Sequence, residues 1–122
     1  MKLYLAFCIP EIIAFSGIDL EFIDQPLRTY SSGMKSRLGF SIISHLDPDI
    51  LLLDEVMSAG DYTFKKKSES RILEMVGGRA TVVIVSHDIG LLERLCDRVV
   101  AMKSGRIVTD GDYEEAVEVY ES

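Results

Sequence analysis

The sequence predicts an α/β fold, a parallel sheet flanked by helices that ends in a β-hairpin and a terminal helix. Three observations lead there. Two continuous apolar runs, Ile50–Leu53 and Ala80–Val85, are of the kind that strands covered on both faces show. Segments of helical period stand between and around them, the pattern of strands alternating with helices. Near the C-terminus, Ser104-Gly105 separates two further strand-like runs.

Each element has its own signal. Pro10 to Gly17 carries apolar Ile12, Ile13 and Phe15 in a short helical pattern, and the acidic, mixed stretch Ile18–Pro26 ends at its proline. Leu38, Ile42, Ile43 and Leu46 fall at helical spacing and predict a helix from about Gly33 to His45, broken by Asp47-Pro48-Asp49. Asp61 is placed to cap the next helix, which runs through Met75 and stops at Gly77-Gly78. Asp88 starts a helix with Ile89, Leu92, Leu95 and Cys96 on one face. Arg98–Met102 and Arg106–Thr109 are the hairpin strands. Asp112 and Glu115 form a D-x-x-E capping pair for the final helix, Tyr113–Tyr120.

Length and composition bound the reading. A chain of 122 residues is one domain or a piece of one, and its 48% hydrophobic and 27% charged residues are ordinary for a globular protein. A formal charge of −7 argues against nucleic acid or an anionic membrane surface as the main partner. The local run Lys65-Lys66-Lys67 is read as a solvated helix face. Cys8 and Cys96 have no metal-ligand spacing and no C-x-x-C arrangement, and a reducing setting is the default. No apolar run has the length of a bilayer span. Residues 1–11 form an atypical segment. MKLYLAFCIP imitates a secretory leader only weakly, and a displaced start or a residual strand accounts for it better.

Four segments carry the chemistry, in a fixed order: YSSGM (Tyr30–Met34), ILLLDE (Ile50–Glu55), SAGD (Ser58–Asp61) and VVIVSHD (Val82–Asp88). Asp54 and Glu55 stand at the carboxyl end of a buried-type strand, the edge where open α/β sheets bind ligands. A carboxylate there suits Mg²⁺, which keeps much of its water shell, and the adjacent carboxylate can orient or deprotonate an attacking water. Alone, the pair would be no more than acids at a helix N-terminus. His87 follows the other apolar strand, where an imidazole can hydrogen-bond a terminal phosphate; a lone histidine there is more often structural. Ser31-Ser32-Gly33 precedes a helix whose N-terminal N–H groups favour anions, with a plain serine cap as the bland alternative. His45 is read as a polar helix-end residue. The chain contains no G-x-x-x-x-G-K-S/T loop, the main phosphate cradle of many nucleotide enzymes.

With these four segments the sequence resembles the C-terminal half of the nucleotide-binding subunit of an ATP-binding-cassette (ABC) transporter. YSSGMKSRL is similar to the signature motif, ILLLDE to the Walker B motif, SAGD to the D-loop and SHD to the histidine switch. The resemblance spans residues 12–122 and implies part of a P-loop NTPase-type sheet. YSSGM in place of L-S-G-G-Q, the lead-in FIDQPLRTYSSGM and the sequence DEVMSAGD resemble exporters of polysaccharides such as O-antigen, capsule or teichoic acid. Ser32 stands where the family usually has Gly, and Met34 where it has Gln.

The resemblance implies ATP and Mg²⁺ as cofactors. Asp54 would hold the Mg²⁺ shell, Glu55 would be the general base, and His87 would contact the γ-phosphate. Ser31, Ser32 and Gly33 would touch ATP held by the opposite subunit, and Asp61 would connect the two sites of a dimer. The implied partners are a transmembrane permease and a second ATPase subunit, with no nucleic acid, at the cytoplasmic face of the cell membrane. Two functions compete on this basis. One is the energy-coupling ATPase subunit of a polysaccharide exporter, in a truncated form inactive alone. The other is a non-catalytic module that docks on an intact ATPase and supplies its signature segment in trans. A DNA-maintenance ATPase of the same superfamily is disfavoured by the acidic balance and by the lack of coiled-coil arms or zinc modules.

Overall fold

The computed structural model describes residues 2–55 and 61–122. They form two compact units, Met1–Val83 and Ile84–Ser122, each with its own packing.

The first unit opens with α1 (Lys2–Ser16), α2 (Leu20–Ile23) and a single 3₁₀ turn at Leu27–Thr29. The helical pattern from Pro10 is therefore real but begins earlier. The residual strand expected within residues 1–11 is instead the first half of α1, with Pro10 inside the helix. An unbroken apolar run does not distinguish a packed helix from a packed strand, which is why this segment misleads. Gly17 ends α1 in the left-handed region, at φ 65°.

Next come α3 (Ser32–Ser44), β1 (Ile50–Asp54) and α4 (Tyr62–Gly77), then β2 (Thr81–Val85), the sheet neighbour of β1 and parallel to it, whose last two residues fall in the second unit. Helices α3 and α4 start on side-chain caps. Ser31 accepts from the Met34 N–H at 3.1 Å, and Asp61 accepts from the Phe64 N–H at 2.8 Å. At the far end of α4 the Gly78 N–H closes on the carbonyl of Glu74 at 3.1 Å.

The core of this unit is aromatic. Phe15, Phe40 and Phe64 meet with ring centroids 5.9–6.2 Å apart, and both contacts of Phe64 are edge-on. Ile72, Met75, Leu51 and Leu53 are buried as well. Four buried serines avoid an unpaired hydroxyl by donating to carbonyls three or four residues back: Ser16 to Ile13, Ser41 to Arg37, Ser44 to Ser41 and Ser68 to Phe64. Arg71 of α4 donates Nε and Nη2 to the carbonyl of Ser44 at 3.1 and 2.5 Å. This bond serves an orphan carbonyl and places a cation at the negative end of α3.

The strands depart from expectation. Ile50–Leu53 reads as covered on both faces, yet burial alternates along β1. Leu51 and Leu53 are buried, whereas Ile50 and Leu52 are 65% and 72% exposed. No residue of β2 is fully buried. Along β1, side chains that point one way are buried and those that point the other way meet solvent.

The second unit holds α5 (Ile89–Leu95), β3 (Val99–Lys103), β4 (Arg106–Gly111) and α6 (Tyr113–Glu121). Asp88 caps α5 by accepting from the Leu91 N–H at 3.0 Å, and the buried pair is Leu91 and Leu95, with Leu92 only half-buried. The antiparallel hairpin turns through Ser104 and Gly105 at φ 51° and 74°, both left-handed, as a two-residue primed turn requires. Its strands begin and end within two residues of the predicted runs. A bulge lies between Ala101 and Met102.

Helix α6 packs on β3 and β4, burying Ala116, Ala101 and Thr109. The predicted Asp112 cap is corrected: Asp112 sits at the N-cap position but its side chain makes no capping bond. Glu114 and Glu115 in the first turn favour the helix through its dipole instead. Across the hairpin, Arg98 grips Asp110 with two bonds of 2.6 Å, which raises the guanidinium's pKa and lowers that of the carboxyl through the shared hydrogen bonds. The Arg98 side chain is 70% exposed and that of Asp110 38%, so solvent screens the pair and its contribution is small. It is present above the ordinary aspartate range near about 3.9 and lost as pH falls below it.

Candidate functional site

Asp54 is the last residue of β1 and Glu55 the residue after it, both exposed. Glu55 lies at φ 55°, a left-handed backbone that disfavours side chains with a Cβ. Strain of this kind, roughly 1–3 kcal/mol, concentrates at functional sites. The acidic pair thus sits where the sequence places it, at the carboxyl end of a strand in a parallel pair.

Ser31, Ser32 and Gly33 form the N-terminus of α3. Ser31 and Ser32 are exposed, and the Ser31 hydroxyl is engaged as the cap. A Cβ built on Gly33 would meet only Ser31 Oγ at 3.9 Å, an ordinary contact. Packing among the described residues therefore gives no reason for glycine there. Asp61 is the cap of α4 through its 2.8 Å bond to Phe64 N–H. The rest of the predicted SAGD segment, Ser58 to Gly60, lies outside the described residues.

In the second unit His87 is exposed, two residues beyond the end of β2. Its Nδ1 lies 3.1 Å from the hydroxyl of Tyr120 on α6. Tyr120 is the partner that sequence reasoning missed. It stands 33 positions downstream, and nothing in its neighbourhood marks it. His45 behaves as expected of a helix-end residue: it is the C-cap of α3, with Nδ1 2.6 Å from the carbonyl of Ser41 and its ring edge-on to Phe15.

The donor set fits Mg²⁺ in one respect. Among the described residues no three His, Cys, Asp or Glu gather into a cluster. A cation that keeps several waters and takes one or two carboxylates needs no such cluster, and Asp54 offers an exposed one. An open groove of about 720 Å³, lined by Phe15, His45, Tyr62, Lys66, Lys67 and Arg71, contains none of the predicted site residues. Within the described residues no helix is long and apolar enough to cross a membrane. Burial raises the pKa of the Cys96 thiol, and Asp97 adds to the effect, so Cys96 is a poor nucleophile at neutral pH.

No protein-family profile matches the chain. The chain is 46% identical over 112 residues to the teichoic acids export ATP-binding protein TagH of Listeria innocua, a match spanning 92% of this chain and 33% of that protein. It is also 46% identical over 110 residues to the O-antigen export system ATP-binding protein RfbB of Klebsiella pneumoniae, across 90% of this chain and 44% of that one. The chain thus spans about a quarter to under half of the length of the curated relatives it matches.

Among solved structures, the ATP-binding subunit of an ABC transporter superposes with a TM-score of 0.83 at 20% identity, over 99% of this chain and 50% of its own. A dimeric ATP-binding cassette in a post-hydrolysis state, bound to ADP and Pi, superposes with a TM-score of 0.71 at 21% identity, over 85% of this chain and 45% of its own. The chain is a homologue of the teichoic-acid and O-antigen export ATP-binding proteins, and its fold is that of part of an ABC-transporter ATPase.

Proposed function

We propose that the chain belongs to an ATP-hydrolysing subunit that drives export of a cell-surface polysaccharide through a transmembrane permease. The observation that supports this most is the pairing of two facts. The likeness to export ATP-binding proteins covers nine-tenths of the chain, and Asp54-Glu55 stands at the carboxyl end of a parallel strand. In this reading Glu55 accepts a proton from the water that attacks the γ-phosphate of ATP. His87 donates a hydrogen bond to that phosphate. Ser31, Ser32 and the α3 N-terminus offer donors to ATP held by a second subunit, with Gly33 leaving room for close approach. Asp54 would hold Mg²⁺ through its water shell, and the ion would neutralise phosphate charge. Asp61 connects the two sites of the dimer. The subunit would sit peripherally on the inner face of the membrane, against the permease.

The same residues carry a second reading, in which this chain supplies only Ser31–Gly33 in trans to an intact ATPase. It uses the same α3 N-terminus, where Ser31 caps the helix and a Cβ on Gly33 would meet only Ser31 Oγ at 3.9 Å. In both readings the 122 residues alone turn over no ATP above background, since they contain no phosphate loop. The test adds an intact export ATP-binding protein, that of Listeria innocua for example, and follows association and phosphate release with and without Mg-ATP. ATP-dependent association is expected, and Gly33→Ala is expected to weaken it at least tenfold while leaving the thermal midpoint unchanged or slightly raised. Turnover by the chain alone that disappears in Glu55→Gln would show a cradle elsewhere in these residues. Association indifferent to ATP and to Gly33→Ala would remove both readings.

A further inference from the structure

We propose that Tyr120 is a positioning residue for His87, fixing the ring tautomer in which Nε2 carries the proton. The two side chains lie in the same unit, joined by the 3.1 Å contact between Nδ1 and the phenol hydroxyl. A neutral imidazole has one N–H and one bare nitrogen, and the partner of one nitrogen decides the state of the other. A phenol is a good donor and a weak acceptor, whereas a bare imidazole nitrogen is a strong acceptor. The favoured arrangement is therefore Tyr120 O–H donating to Nδ1, which puts the proton on Nε2.

The support for Tyr120 is structural. Helix α6 packs on β3 and β4 through buried Ala116, one turn before Tyr120, so the hydroxyl is carried by a helix that is itself packed. Resting on the nucleotide reading above, the consequence is specific: Nε2–H is the form that donates to an anionic oxygen, whereas a bare Nε2 would repel one.

The chain supplies its own control. It has two histidines, and His45 is bonded the opposite way. Its Nδ1 lies 2.6 Å from the carbonyl of Ser41, which can only accept, so His45 carries its proton on Nδ1 when neutral. Nitrogen-15 NMR of the imidazoles in the 122-residue chain, at a pH where both rings are neutral, separates the two patterns and needs no nucleotide. The expected result is an Nε2–H signature for His87 and an Nδ1–H signature for His45. In Tyr120→Phe the His87 signals are expected to move away from the wild-type Nε2–H pattern while those of His45 stay. Tyr120 is 54% exposed, so the phenylalanine variant is expected to keep the fold, and unchanged backbone amide signals from α5, β3, β4 and α6 verify it. In an assembled ATPase, Tyr120→Phe is expected to lower kcat about fivefold, the worth of one ordinary hydrogen bond, with KM for ATP little changed. An Nδ1–H signature for wild-type His87, or His87 signals indifferent to Tyr120→Phe, overturns the assignment whether or not the chain serves an ATPase.

Discussion

Glu55→Gln is expected to lower ATP turnover by about 10²–10⁴-fold, the usual worth of a positioned general base, in any assembly where this chain supports hydrolysis. The amide keeps the size and the backbone of the carboxylate but accepts no proton from water. Because Glu55 is exposed, the exchange is expected to leave the free energy of unfolding within about 0.5 kcal/mol of wild type. Nucleotide binding is expected to persist, so the defect belongs in kcat and not in KM. Single-turnover phosphate release, read beside equilibrium binding of a fluorescent ATP analogue, separates the two. Equal loss in Asp54→Asn and Glu55→Gln, both through weaker binding, would mean that the pair acts only as a charge and that the base lies elsewhere.

Phe40→Ala carries the largest expected loss of stability, about 3–5 kcal/mol, the range for removing a buried aromatic ring. Phe40 is 2% exposed and lies in ring contact with both Phe15 and Phe64. Its loss would open a cavity where α1, α3 and α4 meet their shared aromatic cluster. Domains of this size are stable by only about 5–15 kcal/mol, so this one ring is a large fraction of the whole. Chemical denaturation with far-UV circular dichroism is the measurement. Phe40→Leu, which keeps most of the volume, is expected to recover well over half of the loss. A shift below about 1 kcal/mol for the alanine variant would mean that the cluster is not the core of the first unit.

Much of this architecture is legible in the chain because several helices announce their own boundaries. Ser31, Asp61 and Asp88 are cap residues in the sequence and caps in the fold, and Gly17 and Gly78 end helices where glycine should. The hairpin is readable because Ser104-Gly105 suits a turn that needs left-handed backbone. Three features resist. The N-terminal apolar run carries no period that separates helix from strand, and it is helix. The D-x-x-E pattern at Asp112 is necessary but not sufficient for a side-chain cap. The alternating burial of β1 is hidden because both of its faces are equally apolar, so the sequence does not say which one is packed. Of the site, the residue types and their order are legible from local motifs. The Tyr120 contact to His87 is not, since it joins a loop to a helix 33 positions away with no local rule to announce it.

The half-bare strand has a consequence for mutational tolerance. Along Ile50–Asp54, substitutions should be felt with a period of two. Polar replacements at Leu51 or Leu53 remove burial worth about 1.5–3 kcal/mol each, whereas lysine at Ile50 or Leu52 costs the fold of this chain almost nothing and relieves its stickiness. Greasy letters on this strand are therefore poor guides to what holds the molecule together, and a survey scored on folding alone would report two of its most oil-like positions as indifferent.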